Sequence, residues 1–220
     1  AEYTVVKEDY AFLLPPVISD EEAAPLLCAG AVGYRSLKLG NVQNGMNIGF
    51  SGFGASAHLV LKAAQQLFPF SKLYVLTRNQ KEQDFARELG ATWAGDFEEE
   101  PPEKLHLIID TTPAWKPVVL SLRHLERGGR LVINAIRKER GDQDFLLQLS
   151  YSEDLWMEKE VKSVANVTRA DVQEFLQLAA EVSIRPEIQL YPLEDANKAL
   201  LELKDGKIRG AKVLRIKGHE

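Results

Sequence analysis

The residues best placed to do chemistry form a short spacing, Gly52-x-Gly54-x-x-Ala57, inside "GFSGFGASAHL" (Gly49–Leu59). An apolar run precedes it and a helix-like run follows. Gly52 allows a tight turn with backbone angles that other residues avoid. Gly54 has no side chain, so a phosphate can approach the main chain, and Ala55 adds little bulk beside it. Ala57 lets the following helix pack close to a sheet. The first N–H groups of that helix are free and carry the positive end of its dipole, which suits an anion. The pattern is a pyrophosphate cradle; the plainer alternative is a strand-to-helix bend that binds nothing. A hydrolase elbow of the form G-x-S-x-G fails, because Phe53 occupies its fifth position.

A second group follows the next apolar run: Thr77, Arg78 and Asn79, with Lys81 close behind. In a dinucleotide site, a carboxylate here accepts from the adenosine ribose 2′-hydroxyl, and a cation suits a 2′-phosphate. The first carboxylate is Glu82, already within a helix, so the reading favours NADP(H) over NAD(H). A third set is Cys28 with His58, His106, His124 and His219. No C-x-x-C or H-x-x-x-H spacing joins them into a zinc site, which needs three or four converging ligands. By itself, Cys28 in "AAPLLCAGAVGY" reads as a small buried hydrophobe.

The elements that must position these groups alternate. Strand-like runs begin at Met46, Lys72 (to Arg78), Ala91 (to Gly95), Lys104 (to Pro113), Arg130 (to Ile136) and Glu160 (to Asn166). Helix-like runs separate the early ones: Leu59, Val60, Ala63, Ala64 and Leu67 share one face, and Asn79 and Gly90 can cap and end the next helix. In the run from Ala114 a helix is expected to start near Pro117 and to stop at Gly128–Gly129. Thr168–Val182 reads as a capped amphipathic helix. Strands apolar throughout, alternating with helices, predict an α/β fold: a doubly wound, parallel, six-stranded Rossmann sheet. Residues 1–45 and the final strand–helix–strand fit poorly inside that sheet, and "AEYTVV" alternates like a strand.

The bulk numbers bound the function. A net charge of −5 disfavours nonspecific attraction to nucleic acid or an anionic membrane. No apolar run has the length of a membrane span. "AEYTVVKEDY" shows no basic region before an apolar core, which predicts no secretory leader, and one cysteine fits a reducing, cytoplasmic compartment.

Taken together, "SDEEAAPLLCAGAVGYRSLK", "IGFSGFGASAHL", "LGATWAG" and "GKIRGAKVLRI" resemble the medium-chain dehydrogenase/reductases, and within them the zinc-dependent alcohol dehydrogenases. "KSVANVTRADVQEFLQLAAE" strengthens the likeness to one bacterial-type group. The resemblance implies an NADP(H)-binding portion of an enzyme that moves hydride between an alcohol and its aldehyde or ketone. It implies remnants of a second, catalytic GroES-like domain at both ends: 1–29 closing that domain and connecting by a helix, 30–166 binding the dinucleotide, and 167–220 returning to the catalytic domain. Most of the catalytic domain would precede Ala1. Residue by residue, Cys28 matches a catalytic zinc ligand, reversing the reading made without the resemblance. Gly52, Gly54 and Ala57 match the pyrophosphate turn, and Thr77 and Arg78 the ribose position. Ala135, Ile136, Val164 and Asn166 match positions at the nicotinamide, and Arg209 an arginine that reaches the cofactor phosphates. Val32 stands where the family usually has a threonine against the nicotinamide. The sixth strand could join two copies edge to edge. The alternatives are a non-catalytic dinucleotide-binding module and a zinc-free quinone reductase relative; Cys28 speaks against the latter.

Overall fold

The computed structural model describes residues 3–206 and 209–216. Tyr3–Val6 are exposed and form no strand, although they alternate like one. Helix α1 (Asp20–Pro25) starts at a capping box in which Ser19 and Glu22 bond each other's backbone N–H. A π-helical turn (Leu26–Gly30) leads into α2 (Ala31–Gly40), which ends on Asn41 in the left-handed conformation. Then come β1 (Ile48–Ser51), α3 (Ala55–Leu67), β2 (Leu73–Leu76), α4 (Gln80–Glu88), β3 (Trp93–Gly95), β4 (Leu105–Asp110), α5 (Lys116–His124), β5 (Leu125–Ile133), β6 (Glu160–Ser163) and α6 (Arg169–Glu181). The chain closes with β7 (Ile188–Pro192), α7 (Ala196–Lys204) and β8 (Ala211–Arg215).

Six strands form one parallel sheet in the order β3-β2-β1-β4-β5-β6, and β7 pairs with β8 in a separate parallel ribbon. The side-chain period of two explains the sheet's double cover. Ile48, Phe50, Leu73, Val75 and Ile109 turn to one face, where they join buried residues of α1, α2, α3, α4 and α6. Tyr74, Leu76, Ile108 and Leu131 turn to the other, under α5. A register irregularity between Leu105 and Leu107 puts Leu105 on the α5 face together with Ile108. Each fully buried side chain such as Phe50 or Ile48 contributes about 1.5–3 kcal/mol. Burial raises Tyr74, within the α5-side cluster, to about 12.

Helix α5 is shorter than its sequence suggests. It ends at His124, and Leu125–Gly129 already belong to β5, with Leu125 paired to Leu105. The chain bends at Gly128, whose φ is +68°. A Cβ on Gly129 would stand 3.0 Å from the Leu105 carbonyl oxygen, so that closeness suits glycine. Strands β5 and β6 also stop three residues short of their expected ends, at Ile133 and Ser163. Beyond those points the backbone leaves the sheet to form loops at its carboxyl edge. Arg130 holds β5, β6 and α2 in place, donating to Glu160 at 2.9 Å and to the Leu39 carbonyl at 2.6 Å.

Candidate functional site: a cleft at the sheet's switch point

The strand order reverses between β1 and β4, where a crevice opens at the carboxyl ends of the strands. A cleft of about 900 Å³ fills it, lined from the β1 turn, the β2 exit, the loop after β3 and the β4–α5 loop. The glycine turn forms one wall. Gly52 takes φ +80°, and a Cβ there would lie 2.9 Å from Thr112 Cγ2. Its bareness therefore serves the turn and its packing. Gly54 differs: it is extended (φ −93°, ψ −157°), and a Cβ there would meet no atom of the described residues within 4 Å. Among the described residues nothing needs a bare residue at that point, whereas an anion approaching the main chain does. Gly54 also stands at the N-cap of α3 and supplies no side-chain cap, leaving the N–H groups of the first turn to another acceptor. Ala55 and Ser56 line the cleft, while Ala57 is fully buried against the sheet.

His58 stabilises this turn from behind. Its ring is buried, with Nδ1 3.3 Å from the Gly54 carbonyl oxygen and Nε2 accepting from the Glu187 N–H at 3.3 Å. Burial, with Lys62 adding to it, pushes His58 down to about 4 against the helping bond to Gly54. The ring is therefore neutral at pH 7 and joins the glycine turn to the segment entering β7.

The second wall is the β2 exit. Thr77 is buried and donates from Oγ1 to Glu82 Oε2 at 2.6 Å. Asn79 caps α4 by accepting from the Lys81 N–H at 3.0 Å. Arg78 is exposed at the rim and makes no ion pair among the described residues. Folding changes one element of the sequence reading here. Glu82 lies in a helix, yet its carboxylate curls back onto Thr77 and lines the cleft beside Arg78 and Asn79. Cation and carboxylate thus share this wall of the cleft.

The third wall comes from residues without a motif. Asp142 accepts from the Trp115 N–H at 2.8 Å and the Lys116 N–H at 2.7 Å, capping α5. Burial draws its carboxyl upward, but these donors outweigh it and hold Asp142 below the ordinary range. Under the floor, Asp110 is buried and accepts from Ser51 Oγ and Thr112 Oγ1, each at 2.8 Å, and from Lys138. An aspartate closing the apolar run "LHLIID" is the only sequence signal for it.

The other expected site residues lie outside this lining. Ala135 and Ile136 follow β5, and Val164 and Asn166 follow β6, all along the same carboxyl edge of the sheet. Val164 N–H donates to the Ile133 carbonyl at 2.9 Å, Asn166 has φ +138°, and Ile136 is fully exposed. Arg209 places its guanidinium 4.2 Å from the Phe85 ring centroid and pairs with Glu88 at 2.5 Å; its neighbour Gly206 does reach the cleft. Cys28 is exposed on the π-helical turn, not buried as a small hydrophobe. Among the described residues no three His, Cys, Asp or Glu side chains gather as metal ligands. One thiol is too few to hold zinc. His219 lies outside the described residues. Also among the described residues, no helix is long and apolar enough to cross a membrane.

The sheet order and the glycine turn at its switch point are those of a dinucleotide-binding domain. Residues 76–214 match the family described as zinc-binding dehydrogenase. The probable alcohol dehydrogenase AdhA of Mycobacterium tuberculosis (strain CDC 1551 / Oshkosh) is 38% identical over 98% of this chain and 60% of its own length. The alcohol dehydrogenase of Geobacillus stearothermophilus is 27% identical over 99% of this chain and 64% of its own. Among solved structures, the Helicobacter pylori CAD complexed with NADP(H) superposes with a TM-score of 0.79 at 24% identity, over 95% of this chain and 59% of that one. An NAD-dependent alcohol dehydrogenase gives 0.83 at 18% identity, over 99% and 65%. The chain belongs to the zinc-binding dehydrogenase family, within the medium-chain dehydrogenase/reductases. It spans 60% and 64% of the length of the two curated relatives it matches.

Proposed function

We propose that the cleft binds NADP(H), in preference to NAD(H), as the coenzyme site of an alcohol dehydrogenase acting on a small alcohol and its aldehyde or ketone. The observation that carries this is Gly54: a bare, extended residue facing open cleft at the uncapped start of α3. The N–H groups of that turn hold the pyrophosphate, and Thr77 and Asn79 shape the ribose end. Arg78, a cation without an ion-pair partner among the described residues, meets a 2′-phosphate. The nicotinamide, when bound, supplies the hydride chemistry. Ala135, Ile136, Val164 and Asn166 then line its end of the site, where the β5 and β6 tips continue the cleft's edge. Arg209 would have to leave Glu88 to reach a phosphate.

Cys28 is proposed as one ligand contributed to a catalytic zinc whose other ligands lie outside residues 1–220; no step is derived through that metal. In the proposed division at 29/30 and 166/167, the β7–β8 ribbon stands apart from the sheet and Arg215, pairing with Glu21 at 3.0 Å, joins the two ends, while α6 packs on the sheet and would belong to both bodies. Strand β6, exposed along its four residues at the sheet edge, is the proposed contact between two copies. A cytoplasmic location accords with the single thiol. The lone thiol also favours a second reading, a dinucleotide-binding module that performs no turnover.

Titration with NADPH and NADH, followed by nicotinamide fluorescence, tests the proposal. Saturable binding with NADPH the tighter is expected; binding of neither would sink it. Alcohol oxidation by this chain alone would contradict the assignment of the remaining zinc ligands to residues elsewhere.

A further inference from the structure

Three chain segments must be held in register for one extended cofactor to fit: the turn after β1, the loop after β4 and the loop after β5. A single buried ion pair touches all three. Asp110 ends β4 with no exposure, and the Lys138 side chain, in the loop after β5, is 8% exposed. The Asp110 carboxylate accepts from Ser51, the residue before Gly52, and from the Thr112 hydroxyl at 2.8 Å and N–H at 3.3 Å. Thr112 is the residue against which Gly52 packs. Lys138 donates to the other carboxylate oxygen and to the carbonyls of Thr112, at 2.8 Å, and Ala114, at 3.0 Å. That uses all three of its N–H donors, leaving none for a ligand. Glu139 N–H adds a bond to the Pro113 carbonyl at 2.7 Å. Between β5 and Lys138 lie Ala135 and Ile136.

A buried ion pair is weak evidence for stability, because desolvation offsets its attraction. Its place at the strand tips points to another role. We propose that Asp110 and Lys138 form a positioning clasp that fixes the nicotinamide-side loop, through Lys138, to the pyrophosphate-side turn, through Ser51 and Thr112. The proposal rests on the reading of the cleft as a dinucleotide site. Neither residue touches cofactor; they set the distance between the two ends that do.

The test compares NADPH with 2′-phospho-ADP-ribose, which keeps the adenosine and pyrophosphate but lacks nicotinamide, by calorimetric titration well below the melting temperature. Lys138→Met should weaken NADPH about tenfold and 2′-phospho-ADP-ribose less than about twofold. The double variant D110L/K138M removes the pair without leaving a lone charge and should weaken both ligands about tenfold. If Lys138→Met fails to fold, the double variant carries the test, with equal loss of both ligands expected. Wild-type affinities in the folded variants would overturn the clasp, as would equal loss of both ligands in Lys138→Met. A wild-type chain that binds neither ligand would instead overturn the coenzyme-site reading, and the clasp with it.

Discussion

Replacing His58 by Gln should flatten the dependence of stability on pH. The imidazole is buried between the Gly54 carbonyl and the Glu187 N–H, and the latter bond requires an unprotonated Nε2. Burial holds its pKa near 4, against 6.5 when the chain is unfolded. The unfolded state therefore binds the proton more readily, so stability is fully present above about pH 6.5 and is lost as pH falls toward 4. At about 1.4 kcal/mol per pH unit, this group alone should remove about 2 kcal/mol between pH 7.5 and pH 5, and about 3 kcal/mol by pH 4. Urea unfolding followed by tryptophan fluorescence at pH 7.5, 6, 5 and 4 would measure it in wild type and variant. His124 is also lowered by burial and shifts stability in the same direction, but it is present in both proteins and cancels in the difference. Wild type should lose about 2 kcal/mol more than the variant by pH 5. Parallel pH profiles would refute the placement of a neutral His58 behind the cradle.

Other substitutions probe single walls of the site. Gly54→Val should cost more than about tenfold in cofactor affinity but only about 1 kcal/mol of stability, from the poorer N-cap, because a Cβ there would meet no atom of the described residues within 4 Å; calorimetry and urea unfolding read the two effects. Arg78→Asp should turn the preference toward NADH, and Glu82→Gln, by removing the negative charge beside it, should tighten NADPH; paired fluorescence titrations check both. Gly33→Ala should destabilise by about 1–3 kcal/mol in urea, because the new Cβ would lie 1.9 Å from Val60 Cγ2 where α2 crosses α3.

What could be read from the sequence was local or periodic. The apolar strands, the caps at Asn79 and Thr168 and the glycine turn each declare themselves within a few residues, and the folded chain places them as read. The end of α5 was not legible, since "LERGG" satisfies a helix pattern until pairing of Leu125 with Leu105 competes for its backbone. Nor was the return of Glu82 onto Thr77, which depends on the angle at which α4 leaves β2. The Asp110–Lys138 pair joins residues 28 apart across two loops, and nothing in either local stretch points to the other. His58 could be placed in the first turn of α3, but its partner Glu187 lies 129 residues away.

The central claim is that peptide N–H groups between Gly54 and Ala57 hold the diphosphate of a nicotinamide dinucleotide. A crystal structure of the chain grown with NADPH tests it most directly. The account predicts the diphosphate within hydrogen-bonding distance of those N–H groups, over the open face of Gly54. A diphosphate bound elsewhere, or a turn closed over by neighbouring side chains, would contradict it.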